Sequence, residues 1–429
     1  MNRPNEENVF WYSLKKPAQA KKLSGTINAD VVVIGGGMAG LSCAQKLREH
    51  NLSVVLLEKD FCGAGASGKT SGFITPDSEI ELSALLANHG PEKAKRIWEF
   101  VIAGVSAIRK NIEDYNIDCD YQVQDSLFIA NNKTGLKYVK EQYEARKELG
   151  YESTLYSKDG LPEIIGSMGY VGAVRYPDTF GMNSYLYCQA MREILIKNGV
   201  QIFEETPAVN ITNSSVITPE GRVEAKHVIV AGDRFIPDMG VLKKEIYHVQ
   251  TFLGISKPLS DENAKKIFKS DKMMAWDTDL IYNYFRVTGN NRVLLGGGDL
   301  LYTYAHSISN NTKRFKKRLS SYFHKKFPDV PFELEYIWPG MLGVSKDLLP
   351  VMGYGPDNKT SNIWYLGAAT GLPWANALGH YAADKIISGR NELDGDFSWK
   401  RKFIIGPKIQ TLISTPVTYA ISHGIAEHL

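Results

Sequence analysis

Asp30-Val31-Val32-Val33-Ile34-Gly35-Gly36-Gly37-Met38-Ala39-Gly40, followed at a short interval by Ser53-Val54-Val55-Leu56-Leu57-Glu58, is the stretch that decides the fold. The first β-branched run reads as a parallel strand buried on both faces. Residues 41–50, with Leu41, Ala44 and Leu47 on one side, read as a helix, and the second run as a neighbouring strand. Together they form a complete βαβ unit. In such a unit Gly35 allows the tight turn out of the strand, Gly37 lets backbone approach a pyrophosphate, and Gly40 permits close helix–strand packing. Met38 and Ala39 then start a helix whose free N–H groups and positive end face the phosphates. Glu58, at the end of the second strand and followed by Lys59, can accept both hydroxyls of a ribose and would repel a 2′-phosphate. The stretch predicts a Rossmann-like site for a dinucleotide with a free 2′-hydroxyl.

Working outward, 429 residues suit two domains, or one domain interrupted by another. A net charge of +3 does not point to nucleic acid. Cys43, Cys62, Cys119 and Cys188 lack CxxC spacing and read as reduced, buried thiols. No HExxH-type pair marks a metal site, and no metal is expected. The N-terminal twenty residues lack an apolar signal core, and no long uncharged apolar run is present, so a cytoplasmic protein is expected.

The strand–helix rhythm gives way to longer helical patterns after about residue 81, resumes near Met182, and yields again to aromatic strands such as Tyr282-Asn283-Tyr284-Phe285-Arg286. It returns after Trp338. The expected division is an N-terminal arm (1–26), a discontinuous nucleotide-binding domain (27–85, 183–240 and 338–396), an inserted α+β substrate domain (86–182 and 241–337), and a C-terminal tail (397–429). Gly296-Gly297-Gly298 lacks the third glycine and the acid of a second nucleotide site and reads as a bulge or turn. Basic residues 400–402 beside the apolar run at 412–425 suit peripheral membrane contact, or packing against the protein's own body or a second subunit.

A second small-residue run, Gly63-Ala64-Gly65-Ala66-Ser67-Gly68-Lys69-Thr70-Ser71-Gly72, follows the ribose strand directly. With residues 30–60 it resembles the GASGRNGG-type signature of the D-amino-acid-oxidase-like FAD-dependent superfamily, in the branch of glycine and sarcosine oxidases and γ-glutamylputrescine oxidase. The likeness continues at Val9-Phe10-Trp11-Tyr12, at Tyr284-Phe285-Arg286, and from Trp338 through Asp347, Pro350 and Gly353. It covers most of the chain and is most specific in the first eighty residues. It implies a glutathione-reductase-type FAD domain, with FAD contacts from Gly65, Ala66, Ser67, Gly68, Lys69, Thr70 and Ser71. Further contacts are implied at Val209, Ala231, Gly232 and Gly343, and at Gly371, Leu372, Pro373 and Trp374, where a helix points its positive end at the flavin. Two positions depart from the pattern: Lys69-Thr70 replaces Arg-Asn, and Leu372-Pro373-Trp374 replaces a Gly- or His-containing turn. With no cysteine beyond Cys188, noncovalent FAD is implied.

The activity so implied is oxidation of the C–N bond of a small amine or amino acid by hydride transfer to flavin N5, with oxygen as final acceptor. Tyr282, Tyr284, Arg286, Lys346 and Trp374 are the candidate substrate contacts, with Arg286 suited to a carboxylate and Lys69 or Lys346 to assisting oxygen. A dehydrogenase for a hydroxy acid or amine, feeding a membrane or protein acceptor, is the enzymatic alternative. A flavin-binding interaction protein without turnover is the non-enzymatic one.

Overall fold

The computed structural model describes residues 9–77, 79–299, 303–305, 309, 311–355 and 363–428. The expected strand is longer than its apolar run, spanning Gly25–Ile34, and its last four residues are buried. It lies between Gly221–Val230 and Val54–Leu57, parallel to both, with Val33 level with Ile229 on one side and Leu56 on the other. Gln201–Phe203 extends the sheet beyond Val54–Leu57, and Ile363–Gly367 joins it beside Gly221–Val230. Helices Met38–Glu49 and Leu372–Ser388 pack together on one face: a Cβ on Gly379 would lie 2.2 Å from the carbonyl oxygen of Ala39. The β-branched core strands are buried on both faces because helices cover one side and the hydrophobic cluster around Leu23, Phe203 and Ile236 covers the other.

The second sheet is mixed and has eight strands in the order 334–344, 247–256, 293–297, 284–287, 273–277, 125–130, 172–176, 154–157. Alternation along Tyr284–Val287 fixes its two faces. Phe285 and Val287 join the core beneath helix Thr312–Lys326, whereas Tyr284 and Arg286 face the nucleotide-binding half. Trp276, Tyr284 and Gly296 stand opposite one another on successive strands. A Cβ on Gly296 would sit 2.1 Å from the Tyr284 ring. Gly296 and Gly297 therefore belong to a regular strand, Val293–Gly297, and not to the expected bulge; glycine there makes room for a cross-strand aromatic ring. Leu300 to Tyr302, which follow the cluster, lie outside the described residues.

Two expected boundaries shift. Helix Pro91–Asp114 lies in the segment assigned to the substrate domain, yet it packs against Leu372–Ser388. Its Gly104 approaches so closely that a Cβ would be 2.1 Å from the carbonyl oxygen of Pro373. Its long apolar stripe needs a flat helical surface, and the nucleotide-binding half supplies one. Strand Leu334–Val344 likewise crosses the expected break at 338 and stays in the second sheet throughout.

The arm and the tail are both docked. Helix Phe10–Leu14 buries Phe10, Trp11 and Tyr12 against Phe61, Tyr185 and Trp338. In the tail, Tyr419 and His423 are buried while Ile404, Ile409, Leu412, Val417 and Ile421 are exposed. Among the described residues no helix is long and apolar enough to cross a membrane.

Candidate active site

One cavity of ≈620 Å³ runs from the first sheet to the second. At one end the Glu58 carboxylate accepts the Gly36 N–H at 2.7 Å and the Asp60 N–H at 2.8 Å, which locks its direction while leaving lone pairs for a ribose. Burial pushes its carboxyl pKa up, against the pull of those two N–H groups. Gly35, at φ 111°, could not carry a side chain, because a Cβ would lie 2.4 Å from the Ala231 carbonyl oxygen. Gly37, Met38 and Ala39 line the cavity, whereas Gly40 packs under the turn.

The second glycine run folds over this turn. Ser67 Oγ accepts the Met38 N–H at 2.9 Å, and Gly65, Ala66, Ser67, Lys69, Thr70 and Ser71 face the cavity. Gly68 does not; a Cβ there would meet the Gly63 carbonyl oxygen at 2.0 Å, so its role is compaction. Two indoles hold the loop from outside, Trp338 Nε1 donating to the Lys69 carbonyl and Trp11 Nε1 to that of Thr70, each at 3.0 Å. The aromatic arm motif thus has a structural task.

Two long helices, Met38–Glu49 and Leu372–Ser388, start at this cavity, after Gly37 and Gly371, and neither has a side-chain cap. Open helix N-termini attract anionic groups. Together with the pinned Glu58 they fit a dinucleotide whose pyrophosphate meets the first helix and whose ring system approaches the second. Ala231 and Gly232 line the same space, joined by residues the sequence did not single out: Thr206 to Ala208 and Asp233 to Phe235. These sit in loops brought in by the parallel topology and carry no recognisable spacing.

Several expected site residues are elsewhere. Val209 is 62% exposed and off the cavity; the chain turns outward after Ala208. Gly343 stands behind the wall, its N–H donating to Asp233 Oδ2. Trp374 is buried on Phe100 and Phe397, because helix periodicity turns it to the opposite side from Leu372, Pro373 and Ala375. Lys346 is buried in the tail interface, bonding Gln410 Oε1 at 3.0 Å. Arg286 is fully buried, with Nε on the Ser71 carbonyl and Nη2 on the Met182 carbonyl, both at 2.8 Å, and is not available to a substrate carboxylate.

At the far end, Tyr282 and Tyr284 do line the cavity, with Trp276 beside them. Facing them, after the glycine loop, Ser71, Phe73, Thr75, Asp77 and Glu79 line the cavity. No strand pattern in the sequence marks these residues, since Pro76 interrupts the segment and only Phe73–Ile74 pairs as a strand. Asp77 is neutralised by Arg146 at 2.6 Å. Glu79 instead accepts the Tyr282 hydroxyl at 3.0 Å.

The tail also closes the cavity through His423. Its Nε2 meets the Ser345 carbonyl at 2.7 Å, which can only accept, so Nε2 carries the proton and Nδ1 accepts from the Tyr304 hydroxyl at 2.8 Å. Burial pushes the imidazole pKa down from 6.5 to about 4. The stabilisation from this neutral ring is complete above the unfolded-state pKa and is lost as pH falls toward the folded one, about 3 kcal/mol in all. Between pH 6.5 and 4 the wild type is expected to lose more thermal stability than His423→Gln, whose side chain does not titrate. Parallel melting-temperature profiles of the two proteins would sink the idea.

The fold and the two-ended cavity define a dinucleotide-binding oxidoreductase whose cavity is walled at its far end by a second sheet. Residues 30–385 match the DAO family, FAD dependent oxidoreductase, and the chain belongs to that family. It is 27% identical over 370 residues to the probable oxidoreductase OrdL of Haemophilus influenzae, across 82% of this chain and 83% of that one. It is also 27% identical over 366 residues to the gamma-glutamylputrescine oxidoreductase of Escherichia coli, across 84% and 83%. The glycine oxidase of Geobacillus kaustophilus shares the fold, with a TM-score of 0.73 at 18% identity over 89% of this chain and all of that one. FAD is the cofactor. The four cysteines are all buried, and none follows Cys188.

Proposed function

We propose that this chain oxidises the C–N bond of a small amine or amino acid. The observation that carries the reading is the single cavity with the dinucleotide grip at one end and Trp276, Tyr282, Tyr284 and Glu79 at the other. A relative that acts on gamma-glutamylputrescine and a fold neighbour that acts on glycine support it. When bound, FAD supplies the two-electron acceptor for the C–H bond next to nitrogen and passes the electrons to oxygen.

The chain's own residues set the conditions. Only a neutral amine releases that hydride readily, and the aromatic walls disfavour the ammonium form. Trp11 and Trp338, by holding the loop backbone, fix where Lys69 enters the cavity. Its ammonium, beside the Tyr12 ring, is suited to balance the negative charge that oxygen acquires on reduction. Lys69→Met is therefore expected to slow reoxidation of the reduced enzyme by about tenfold or more while leaving anaerobic reduction within about twofold. Stopped-flow measurement of the two half-reactions checks this, and equal slowing of both would remove Lys69 from the oxygen step.

The functional test is a panel of amines, amino acids and hydroxy acids added anaerobically to the holoenzyme while the flavin absorption is followed, then air with peroxide detection. Bleaching by an amine or amino acid and peroxide on aeration are expected. Bleaching only by hydroxy acids, or no bleaching at all, would overturn the reading. The dehydrogenase alternative is favoured by the exposed apolar tail residues, including Ile404 and Leu412, which suit a peripheral membrane acceptor. Bleaching without peroxide would select it.

A further inference from the structure

We propose that Glu79 is a specificity-determining residue that receives a second, non-reacting cationic nitrogen of the substrate, so that the enzyme prefers diamine-like substrates over monoamines and α-amino acids. The inference deepens the C–N oxidation reading and rests on it. Three observations support it. First, Glu79 stands where two cavities meet: the FAD-and-substrate cavity, and a second of ≈730 Å³ that shares with it Glu79, Trp276 and Tyr282. Second, among the described residues the wall of the outer cavity carries more carboxylates than lysines, including Glu81, Asp277 and Asp279. An excess of carboxylates beside Glu79 favours a cation over an anion there.

Third, the three carboxylates at positions 77, 79 and 81 are in different states. Asp77 has its own guanidinium, Arg146, and Glu81 accepts the Trp276 indole N–H at 3.1 Å. Glu79 has only the Tyr282 hydroxyl, and no ion pair reaches it among the described residues. Burial pushes its carboxyl pKa up, the condition of a carboxylate that lacks a counter-charge. A substrate ammonium would supply that charge. The two cations that the sequence offered for a substrate carboxylate, Arg286 and Lys346, are both turned to internal partners. Phe73 and Thr75, between the flavin loop and Glu79 in the sequence, line the cavity.

Glu79→Gln tests this without disturbing the hydrogen bond, because the amide oxygen can still accept from Tyr282. Binding to the holoenzyme is read by perturbation of the flavin spectrum with three probes: butane-1,4-diamine, butylamine and 4-aminobutanoate. The wild type should bind the diamine about tenfold or more tighter than butylamine, with 4-aminobutanoate weakest. The variant should lose about 10- to 100-fold for the diamine and less than about threefold for butylamine. Equal binding of diamine and butylamine by the wild type, or an equal loss for both in the variant, would overturn the proposal. The wild-type ranking decides alone should the variant fail to hold FAD. If no amine bleaches the flavin yet the charge preference and its loss are both seen, the oxidation reading fails and the assignment of Glu79 stands.

Discussion

Gly40→Ala is expected to strip FAD from the protein and to lower its stability by about 3 kcal/mol. An added Cβ would lie 1.9 Å from the Gly35 carbonyl oxygen, and Gly35 itself is held at φ 111° against Ala231. Neither can yield, since both belong to the turn between two core elements. Helix Met38–Glu49 would have to lift, carrying its N-terminus away from the pyrophosphate position. Gly65→Ala is the control for stability: Gly65 has φ −79°, and nothing lies within 4 Å of the place its Cβ would take. Thermal melts and the flavin-to-protein absorbance ratio after gel filtration give both readouts. A Gly40→Ala protein that keeps a full complement of FAD would refute the packing argument.

The second large effect is expected at Arg286. Arg286→Met should cost about 3 kcal/mol or more, because the carbonyls of Ser71 and Met182 each lose a charge-assisted donor in a buried place. Asp120, 3.9 Å from Nη1, would also lose its nearest cation. Burial already pushes the guanidinium pKa down to about 10, the mark of a charge held inside at some expense. Arg286 ties the loop after the flavin-binding run to the second sheet, so FAD affinity should fall with stability. KM values for substrates with and without a carboxylate should rise in equal proportion. A loss confined to carboxylate-bearing substrates would restore Arg286 as a substrate ligand.

Arg286 shows why local pattern misleads at this kind of site. An arginine beside two tyrosines on an aromatic strand has the composition of a substrate pocket. Period-two geometry puts Tyr284 and Arg286 on the same face, as expected. What differs two residues further along is the cover: Tyr284 meets the open cavity, and Arg286 meets residues 71–72 and 182. Trp374 and Lys346 fail for the same reason, because a helix phase and a docked tail decide what each of them faces. Glu79 shows the reverse: no spacing marks it in the sequence, and only the cavity it lines singles it out.

The dinucleotide grip was legible because its requirements are local. A tight turn, a close backbone approach and a carboxylate at the next strand end all fall within residues 30–58, and no distant element can substitute for them. FAD and the family were legible from the glycine run that follows directly. The far end of the cavity was not, since its walls come from the second sheet, from Phe73, Thr75, Asp77 and Glu79, and from His423 near the C-terminus. Only the tertiary structure could decide which of those side chains face the cavity and which are spent on each other. Burial and partner choice depend on which surfaces meet, and for residues two hundred positions apart the order of the chain does not specify that.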